Sequence, residues 1–362
     1  MIDTNCVVES AGRWFLHSGI QEPNGGFARY YLSDVQKNAT VSTEITGYSL
    51  SALLFLHERT QAPEYLEGAL RAARFLTRQA WNPAMATFPY EHATNGDRPQ
   101  ALAYFFDCGI IVRGLLRVWR VTGETEFRDA AIAGGRAMLA DFCAHDAIHP
   151  ILALPQKEAL PHRPRWSASP GCYQLKAAMA WLELYEATGE AGFERAYQRA
   201  LGAAMDSDPE FLPGDPNPDN VMDRLHAYSY FLEGLLPVLD RAECLTRFRA
   251  GLKRLAGHLH EIAPRFARSD VYAQLLRARL FGEHIAGVEL DSEWAAREAA
   301  ALASFQLASQ DTRLAGGFGF GRKAGQQMPF ANPVSTAFAV QALALWSDRQ
   351  NHAFQAPRQA LI

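Results

Sequence analysis

The chain lacks an excess of either charge, an apolar run long enough to span a membrane, and a set of paired cysteines. Over 362 residues the formal net charge is −4, which predicts neither a nucleic-acid-binding face nor attraction to an anionic membrane. The first residues lack the cationic start and apolar core of a secretory signal, so we expect a cytoplasmic protein. The five cysteines are odd in number and widely spaced, which favours free buried thiols.

Motifs for phosphates, dinucleotides and metals are also missing. There is no Cys-X-X-Cys pair, P-loop, nucleophile elbow or dinucleotide fingerprint. His145 and His149 have the spacing of two metal ligands on a helix, but no third ligand is near them in the sequence. We therefore expect no cofactor and no metal.

Six segments combine small and large apolar residues in the way typical of helices that are buried on nearly every side. Each opens near an aromatic, glycine or polar residue, and their ranges are 43–54, 106–116, 171–182, 225–236, 270–280 and 334–346. We predict six inner helices. Segments between them alternate apolar and charged positions at helical spacing and predict an outer layer, with ranges 63–76, 126–139, 193–201, 245–255 and 292–302.

The two ends of the chain carry a related unit. Gly25-Gly26-Phe27 and a polar loop precede Val41-Ser42-Thr43, and Gly316-Gly317-Phe318 and a similar loop precede Val334-Ser335-Thr336. The last inner helix has no outer partner after it, so residues 6–16 are predicted to supply that partner. The sequence thus predicts one all-α domain over residues 1–362, an (α/α)6 toroid of six helical hairpins that the N-terminal helix closes.

Parallel inner helices would bring their positive N-terminal ends to one mouth, where anionic or polyhydroxyl ligands are favoured. Two acids, Glu44 and Asp107, are predicted at such starts. Two carboxyl groups facing a sugar can act as acid and base or as acid and nucleophile. A plain alternative is that each acid only stabilises or caps its helix.

His226 is the only histidine in the six segments, and Tyr230 and Glu233 share its helix face. A histidine and a tyrosine at one cavity wall suit proton transfer at a sugar carbon, although a hydrogen-bonded core histidine would give the same pattern. Glu233 is expected to pair with Arg113 or Arg277. We predict that Glu44, Asp107, His226 and Tyr230 are catalytic and share one cavity.

Aromatic, polar and basic residues cluster in the loops before the inner helices. Aromatic rings suit the apolar faces of sugars, and arginines suit uronate or sulfate groups, although aromatics in glycine-rich turns also serve as packing plugs. The predicted substrate-binding residues are Tyr48, Arg29, Tyr31, Trp166, Arg165, Tyr173, Gln174, Asp270, Gln274, Asn332, Phe318 and Phe320.

The helix openings at residues 43–48, 106–111 and 226–230 resemble the six-hairpin (α/α)6-toroid superfamily, in particular its uncharacterised branch associated with polysaccharides. That superfamily includes glycoside hydrolases, polysaccharide lyases and sugar epimerases. The N-acylglucosamine 2-epimerase branch uses two cavity histidines, whereas these segments contain only His226. Toroidal terpene cyclases share the Gly-Gly-Phe turns, but their Asp-X-Asp-Asp motif and zinc ligands have no match here.

The resemblance and the predicted mouth together favour an enzyme for an oligo- or polysaccharide, and we expect this substrate to be anionic, for example uronate-bearing. Hydrolysis, β-elimination and epimerisation all stay open. A non-catalytic glycan-binding or assembly protein is the alternative, and a terpene-cyclase-like toroid ranks behind it. The expected ligand is a saccharide, with no nucleic acid and no membrane, and the sequence does not indicate an oligomeric state.

Overall fold

The computed structural model describes residues 4–92, 101–144, 147–355 and 357–362. Twelve α-helices occur in this part of the chain, and they alternate between almost fully buried and half-exposed. The buried, inner helices are α2 (Thr43–Thr60), α4 (Phe105–Thr122), α6 (Gln174–Thr188), α8 (Pro218–Leu235), α10 (Ser269–Ala286) and α12 (Pro333–Gln350). The outer helices are α1 (Thr4–His17), α3 (Pro63–Phe75), α5 (Thr125–Asp141), α7 (Ala191–Phe211), α9 (Ala242–Ile262) and α11 (Ser292–Ala303). The predicted alternation is confirmed.

The chain divides into two compact units. Unit 1 contains residues 1–20, 30–38 and 210–362, and unit 2 contains residues 21–29 and 39–209. In unit 2 the inner helices α2, α4 and α6 pack side by side, with α3 against α2 and α5 against α4. In unit 1 the inner helices α8, α10 and α12 pack side by side, with α9 against α8 and α11 against α10. Each unit is therefore a row of three inner helices backed by outer ones.

Small residues let the inner helices of unit 2 approach closely, as their composition predicts. A Cβ atom placed on Gly109 of α4 would lie 2.5 Å from the backbone oxygen of Ala177 in α6, and one on Gly47 of α2 would lie 3.3 Å from the Cα atom of Ile111 in α4. Charged side chains also join neighbouring inner helices. Arg113 donates to Glu183 at 2.8 Å, and in unit 1 Glu233 pairs with Arg277. Of the two partners predicted for Glu233, which were Arg113 and Arg277, it is Arg277 that forms the ion pair.

Short strands occupy the loops between helices, which the sequence did not predict. They are β1 (Phe27–Ala28), β2 (Tyr31–Leu32), β3 (Lys37–Asn38), β4 (Val41–Ser42), β5 (Glu91–His92), β6 (Leu102–Tyr104), β7 (Ile151–Ala153), β8 (Glu158–Ala159), β9 (Phe266–Arg268), β10 (Gly321–Lys323), β11 (Gln326–Gln327) and β12 (Phe330–Ala331). They form antiparallel sheets in the orders β1-β4-β5, β6-β7-β8, β12-β2-β3 and β11-β10-β9. Strands of two or three residues show no alternation of apolar and polar residues long enough to recognise.

The repeat at the two ends of the chain is built by matching hydrogen bonds. In unit 2 the amide of Phe27 donates to Thr46 Oγ1 at 2.9 Å, and in unit 1 the amide of Phe318 donates to Thr336 Oγ1 at 3.0 Å. A Cβ atom on Gly25 would lie 2.5 Å from the Arg71 oxygen of α3, and one on Gly316 would lie 2.5 Å from the Ser10 oxygen of α1. Helix α1 therefore takes, beside α12, the place that α3 takes beside α2, as predicted for the N-terminal segment.

These bonds correct the register of the repeat. The hydroxyl of Thr46 donates to the oxygen of Ser42, and that of Thr336 donates to the oxygen of Asn332. Ser42 and Asn332 are both N-cap residues. Ser42 therefore matches Asn332 and not Ser335, a shift of three residues. The two Val-Ser-Thr segments have the same sequence but are not equivalent in the structure, because the cap residue is serine in one copy and asparagine in the other.

The start of α8 is also corrected. The sequence places the start of this inner helix at Leu225, but α8 begins at Pro218, where the side chain of Asn217 accepts a hydrogen bond from the Asp219 amide. Proline at the first position and asparagine at the cap are strong start signals. His226 therefore lies two turns inside the helix, and the helix's positive end does not act on it directly.

None of the described helices has the length and apolarity needed to cross a membrane. All five cysteines are free, as predicted, but only Cys108, Cys172 and Cys244 are buried, whereas Cys143 is partly exposed and Cys6 is exposed.

Candidate active site

Two carboxyl groups lie in the first turns of neighbouring inner helices of unit 2. Glu44 is the second residue of α2 and Asp107 the third of α4. Ser42 caps α2 through its side chain, so Glu44 is not needed as the cap. Asp107 is only 4% exposed, and its Oδ2 atom has no hydrogen-bond partner among the described residues. A buried carboxyl oxygen without a partner is costly when the group is ionised.

Both acids have raised pKa values, and Glu44 contributes to the shift of Asp107. Burial raises the pKa of Glu44 to about 7 against the opposing effect of Arg29. Burial, together with the negative charge of Glu44, raises the pKa of Asp107 well above its usual value. A negative charge beside a buried carboxyl group disfavours its ionisation. The alternative that each acid only stabilises its helix start stays open.

Arg29 is the cation of this site. Its Nη1 atom lies 3.3 Å from Glu91 Oε1, and its guanidinium lies 4.8 Å from the centre of the Tyr90 ring. Its side chain is 41% exposed, so it faces solvent beside the acids. Glu91 was not predicted as a site residue, and its only signal is that it follows Tyr90.

Two pairs of aromatic rings lie in the same unit as the acid pair. The rings of Tyr90 and Tyr104 lie 4.9 Å apart, and those of Trp166 and Tyr173 lie 5.1 Å apart. Asp107 contributes to the raised pKa values of Tyr104 and Tyr173, after burial in both cases. Tyr104 and Tyr173 are therefore near enough to Asp107 to feel its charge. The predicted residue Tyr48 is buried one turn after Glu44, and the predicted Arg165 is exposed.

The histidine predicted as catalytic lies in unit 1, in a chain of hydrogen bonds. Nδ1 of His226 lies 2.7 Å from Oε1 of Gln274, and Nε2 lies 3.0 Å from the phenol oxygen of Tyr230. An amide oxygen only accepts, so Nδ1 carries the proton and Nε2 accepts from Tyr230. The amide nitrogen of Gln274 points to the His226 carbonyl at 3.4 Å, which supports this amide orientation.

Burial keeps His226 neutral. It lowers the pKa to about 4, although Asp270 opposes this shift. Asp270 Oδ2 lies 3.4 Å from His226 Nδ1, but its two oxygens accept hydrogen bonds from Arg268. Arg268 also donates to Asp223 at 2.7 Å and lies 4.4 Å from the centre of the predicted Phe320 ring. Arg268 and Asp223 were missed because their segments showed no inner-helix pattern.

Several predicted binding residues have structural partners instead of an open face. Asn332 caps α12 by accepting from two amides, and Gln174 holds the backbone of Gly171 and Ile148. Phe318 is fully buried and Tyr31 is 2% exposed; Tyr31 donates to Asp311 at 3.3 Å. Phe318 and Tyr31 therefore fit the alternative in which aromatic residues of these loops serve packing, because both are buried.

A groove of about 610 Å³ in unit 2 lies between α7 and the start of α6. Gln174 lines it, but neither Glu44 nor Asp107 does. It is therefore separate from the acid pair.

Metal ligands do not assemble in the described part of the chain, where no group of three His, Cys, Asp or Glu residues has suitable geometry. Of the two histidines with ligand spacing, His145 lies outside the described residues. Glu44 and Asp107 belong to unit 2, and His226 and Tyr230 belong to unit 1. That all four share one cavity stays a prediction.

No protein-family model matches the chain, and no curated protein matches it by sequence. Solved structures do match. A cellobiose 2-epimerase from Bacillus thermoamylovorans has a TM-score of 0.72 at 12% identity, covering 94% of this chain and 99% of the other. A D-mannose isomerase has a TM-score of 0.69 at 11% identity, covering 94% and 96%.

A third match is an inactive variant of an alpha-1,6-mannanase from a Salegentibacter species, in complex with alpha-1,6-mannotriose. Its TM-score is 0.62 at 12% identity, covering 94% of this chain and 98% of the other. At such identities the likeness establishes the fold, which is the all-α (α/α)6 toroid predicted from the helix pattern.

Proposed function

We propose that this chain, which has the (α/α)6-toroid fold, is a carbohydrate-active enzyme that cleaves a glycosidic bond with Glu44 and Asp107. The observation that carries the proposal is the pair itself. It consists of two neighbouring carboxyl groups with raised pKa values, one of which has a buried oxygen without a hydrogen-bond partner among the described residues.

The two acids differ in their surroundings, and this difference assigns their roles. Asp107 is the more deeply buried, and both burial and the charge of Glu44 raise its pKa, so we assign it as the general acid that protonates the leaving oxygen. Glu44 is partly exposed and takes the ionised role, as a base for water or as a nucleophile. Glycosidases need this division between a protonated and an ionised carboxyl group.

The surrounding side chains support a saccharide as substrate. The partly exposed rings of Tyr90, Tyr104 and Trp166 offer apolar faces for sugar C–H groups. Arg29 offers a charged guanidinium beside the acids, and this group suits the carboxylate of a uronate. We therefore include anionic, uronate-bearing glycans among the proposed substrates.

The matched structures are consistent with a sugar ligand in this fold. One is described as a mannanase with a bound mannotriose, and two as a cellobiose 2-epimerase and a D-mannose isomerase. These descriptions concern those proteins, and here they only guide the choice of test substrates.

A second candidate is epimerisation or isomerisation at a sugar carbon by His226 and Tyr230. A specific observation favours it, since a neutral imidazole accepts from a phenol while its other nitrogen is fixed by Gln274. A neutral imidazole and a phenol are groups that can accept and donate a proton at a sugar carbon. β-Elimination would use the same kind of proton abstraction.

One panel of glycans separates these activities. Neutral and uronate-bearing oligosaccharides are incubated with the protein, and each is scored for new reducing ends, for ultraviolet absorbance of unsaturated uronates and for uptake of solvent deuterium. We expect new reducing ends. Deuterium uptake without cleavage would favour His226 and Tyr230. Binding without turnover would favour a non-catalytic glycan-binding protein, and neither binding nor turnover would contradict the proposal.

A further inference from the structure

Within the segment Arg358–Ile362 of unit 1, the last three residues are buried. Ala360, Leu361 and Ile362 are 8%, 3% and 2% exposed. The residues before them differ, because Asn351, His352, Ala353 and Gln355 are all exposed. A buried three-residue segment at the end of an exposed connection has to be held by specific contacts, since its backbone groups cannot bond to water.

Gln341 of α12 provides two of these contacts. Its Nε2 atom donates to the oxygen of Ala360 at 2.6 Å, and its Oε1 atom accepts from the amide of Ile362 at 3.1 Å. One carboxamide therefore pairs with the backbone on both sides of Leu361. This is how a neighbouring strand recognises a peptide, and it does not depend on the peptide's side chains.

Arg277 of α10 provides a third contact. Its Nη1 atom donates to the oxygen of Ile362 at 3.2 Å and also to Gln341 Oε1 at 3.2 Å. Its Nη2 atom pairs with Glu233 of α8. All three side chains are fully buried with the segment in place, and Arg277 and Gln341 would lose hydrogen bonds if it left.

We propose that Glu233, Arg277 and Gln341 form a peptide-binding site, and that its ligand is the chain's own segment 358–362, held as a removable plug. The ligand class is a short peptide with apolar side chains that is bound through its backbone. The inference is independent of the saccharide activity, because it rests on contacts within unit 1 alone.

The site adjoins the histidine cluster through a single ring. The Arg277 guanidinium lies 3.9 Å from the centre of the Phe338 ring, and that ring lies 6.5 Å from the Tyr230 ring. Phe338 thus lies between Arg277, which contacts the plug, and Tyr230, which contacts His226. Departure of the plug would expose a buried ion pair to water.

Cutting the folded protein tests the plug directly. A protease site is inserted after Gln355, the folded protein is cut, and gel filtration shows whether the released peptide stays bound. We expect it to stay, and a fluorescein-labelled copy to bind with a Kd of about 10 μM or tighter. Departure of the peptide on cutting, with no rebinding at millimolar concentration, would overturn the proposal.

Matched substitutions show whether the named residues form the site. Gln341→Leu removes both amide contacts and is expected to weaken peptide binding by about 30-fold. Gln350→Leu, the same change at an exposed position of the same helix, is expected to leave it within about twofold. Equal binding by both variants would contradict the assignment.

If the inserted protease site disturbs folding, hydrogen exchange on chains without that site tests the same contacts. In the full chain, Gln341→Leu is expected to speed exchange of the Ile362 amide by about 100-fold, because that amide loses its acceptor. Gln350→Leu is expected to leave it unchanged. Slow exchange in the Gln341→Leu chain would show that Gln341 does not hold the segment.

Discussion

The phenol oxygen of Tyr230 lies 3.0 Å from Nε2 of His226, and the two rings meet edge to face with centres 4.6 Å apart. Because Gln274 fixes the proton on Nδ1, the phenol is the donor in this bond. The imidazole is therefore neutral and already supplied with both partners. Because Nε2 can accept this hydrogen bond only while the imidazole is neutral, protonation of His226 is coupled to the stability of the folded protein.

Acid should destabilise the protein through His226. Its pKa is lowered to about 4 from 6.5, so between these values the unfolded chain binds a proton that the folded chain does not. The free energy of unfolding is therefore highest above pH 6.5 and decreases by on the order of 3 kcal/mol as the pH falls to 4. We expect denaturant unfolding to show that the free energy of unfolding of His226→Gln no longer has this decrease between pH 6.5 and 4. The exposed control His352→Gln should keep it. An equal dependence in both variants would contradict a buried neutral His226.

Glu44 should have the opposite effect on stability. Its pKa is raised to about 7 from 4.5, so the folded chain holds the extra proton and stability is lost as the pH rises between these values. Glu44→Gln should therefore increase the free energy of unfolding at pH 8 by on the order of 2 kcal/mol, with little change at pH 4. The control is Glu64→Gln, because Glu64 is an exposed first-turn acid of the outer helix α3. A gain no larger than that of Glu64→Gln would show that Glu44 is an ordinary helix-start acid.

The glycine turns of the repeat should tolerate no side chain. Gly25 has a φ of +95°, and an added Cβ atom would lie 2.5 Å from the backbone oxygen of Arg71. We expect Gly25→Ala to cost about 2 kcal/mol of stability, measured by denaturant unfolding. Gly257→Ala is the matched control, since this helical glycine has no other atom within 4 Å of an added Cβ; it should stabilise α9 slightly. A neutral Gly25→Ala would mean that the turn shifts easily.

Most of the fold could be predicted from the helix pattern, because that pattern depends on many residues at once. Twelve helices were predicted from the alternation of small-residue and amphipathic segments, and Gly109 shows why the small residues are there. Predictions that depended on one or two residues were weaker. The start of α8 lies at Pro218 and not at Leu225, and the register of the repeat shifted because Asn332 replaces Ser42 as the cap.

The site was only partly visible in the sequence for a related reason. Glu44 and Asp107 could be proposed because each lies at a helix start, which local sequence shows. The effect of Glu44 on the pKa of Asp107, and the contact of Arg29 with Glu91, depend on segments that meet only in the folded chain. Phe318 and Asn332 look like ligand-binding residues in the sequence, yet one is a buried plug and the other a cap, because burial and capping are not visible in residue type.

Arg29 should distinguish anionic from neutral substrates. Arg29→Gln removes the cation beside the acid pair, so kcat/KM for a uronate-bearing substrate should fall by about 30-fold, while that for its neutral analogue should change by less than about threefold. The exposed Arg13 of α1 provides the control Arg13→Gln. Equal losses on both substrates would indicate that Arg29 supports the acids and does not read a carboxylate.

The most direct test of the acid pair measures kcat for Glu44→Gln, Asp107→Asn and the control Glu64→Gln on the best substrate of the glycan panel, with melting temperature recorded for each. Both site variants remove an acid and keep its shape, so kcat should fall by about 10³-fold or more in each, while Glu64→Gln stays within about twofold. Activity within about threefold of the unmodified protein, in folded Glu44→Gln and Asp107→Asn, would contradict the account.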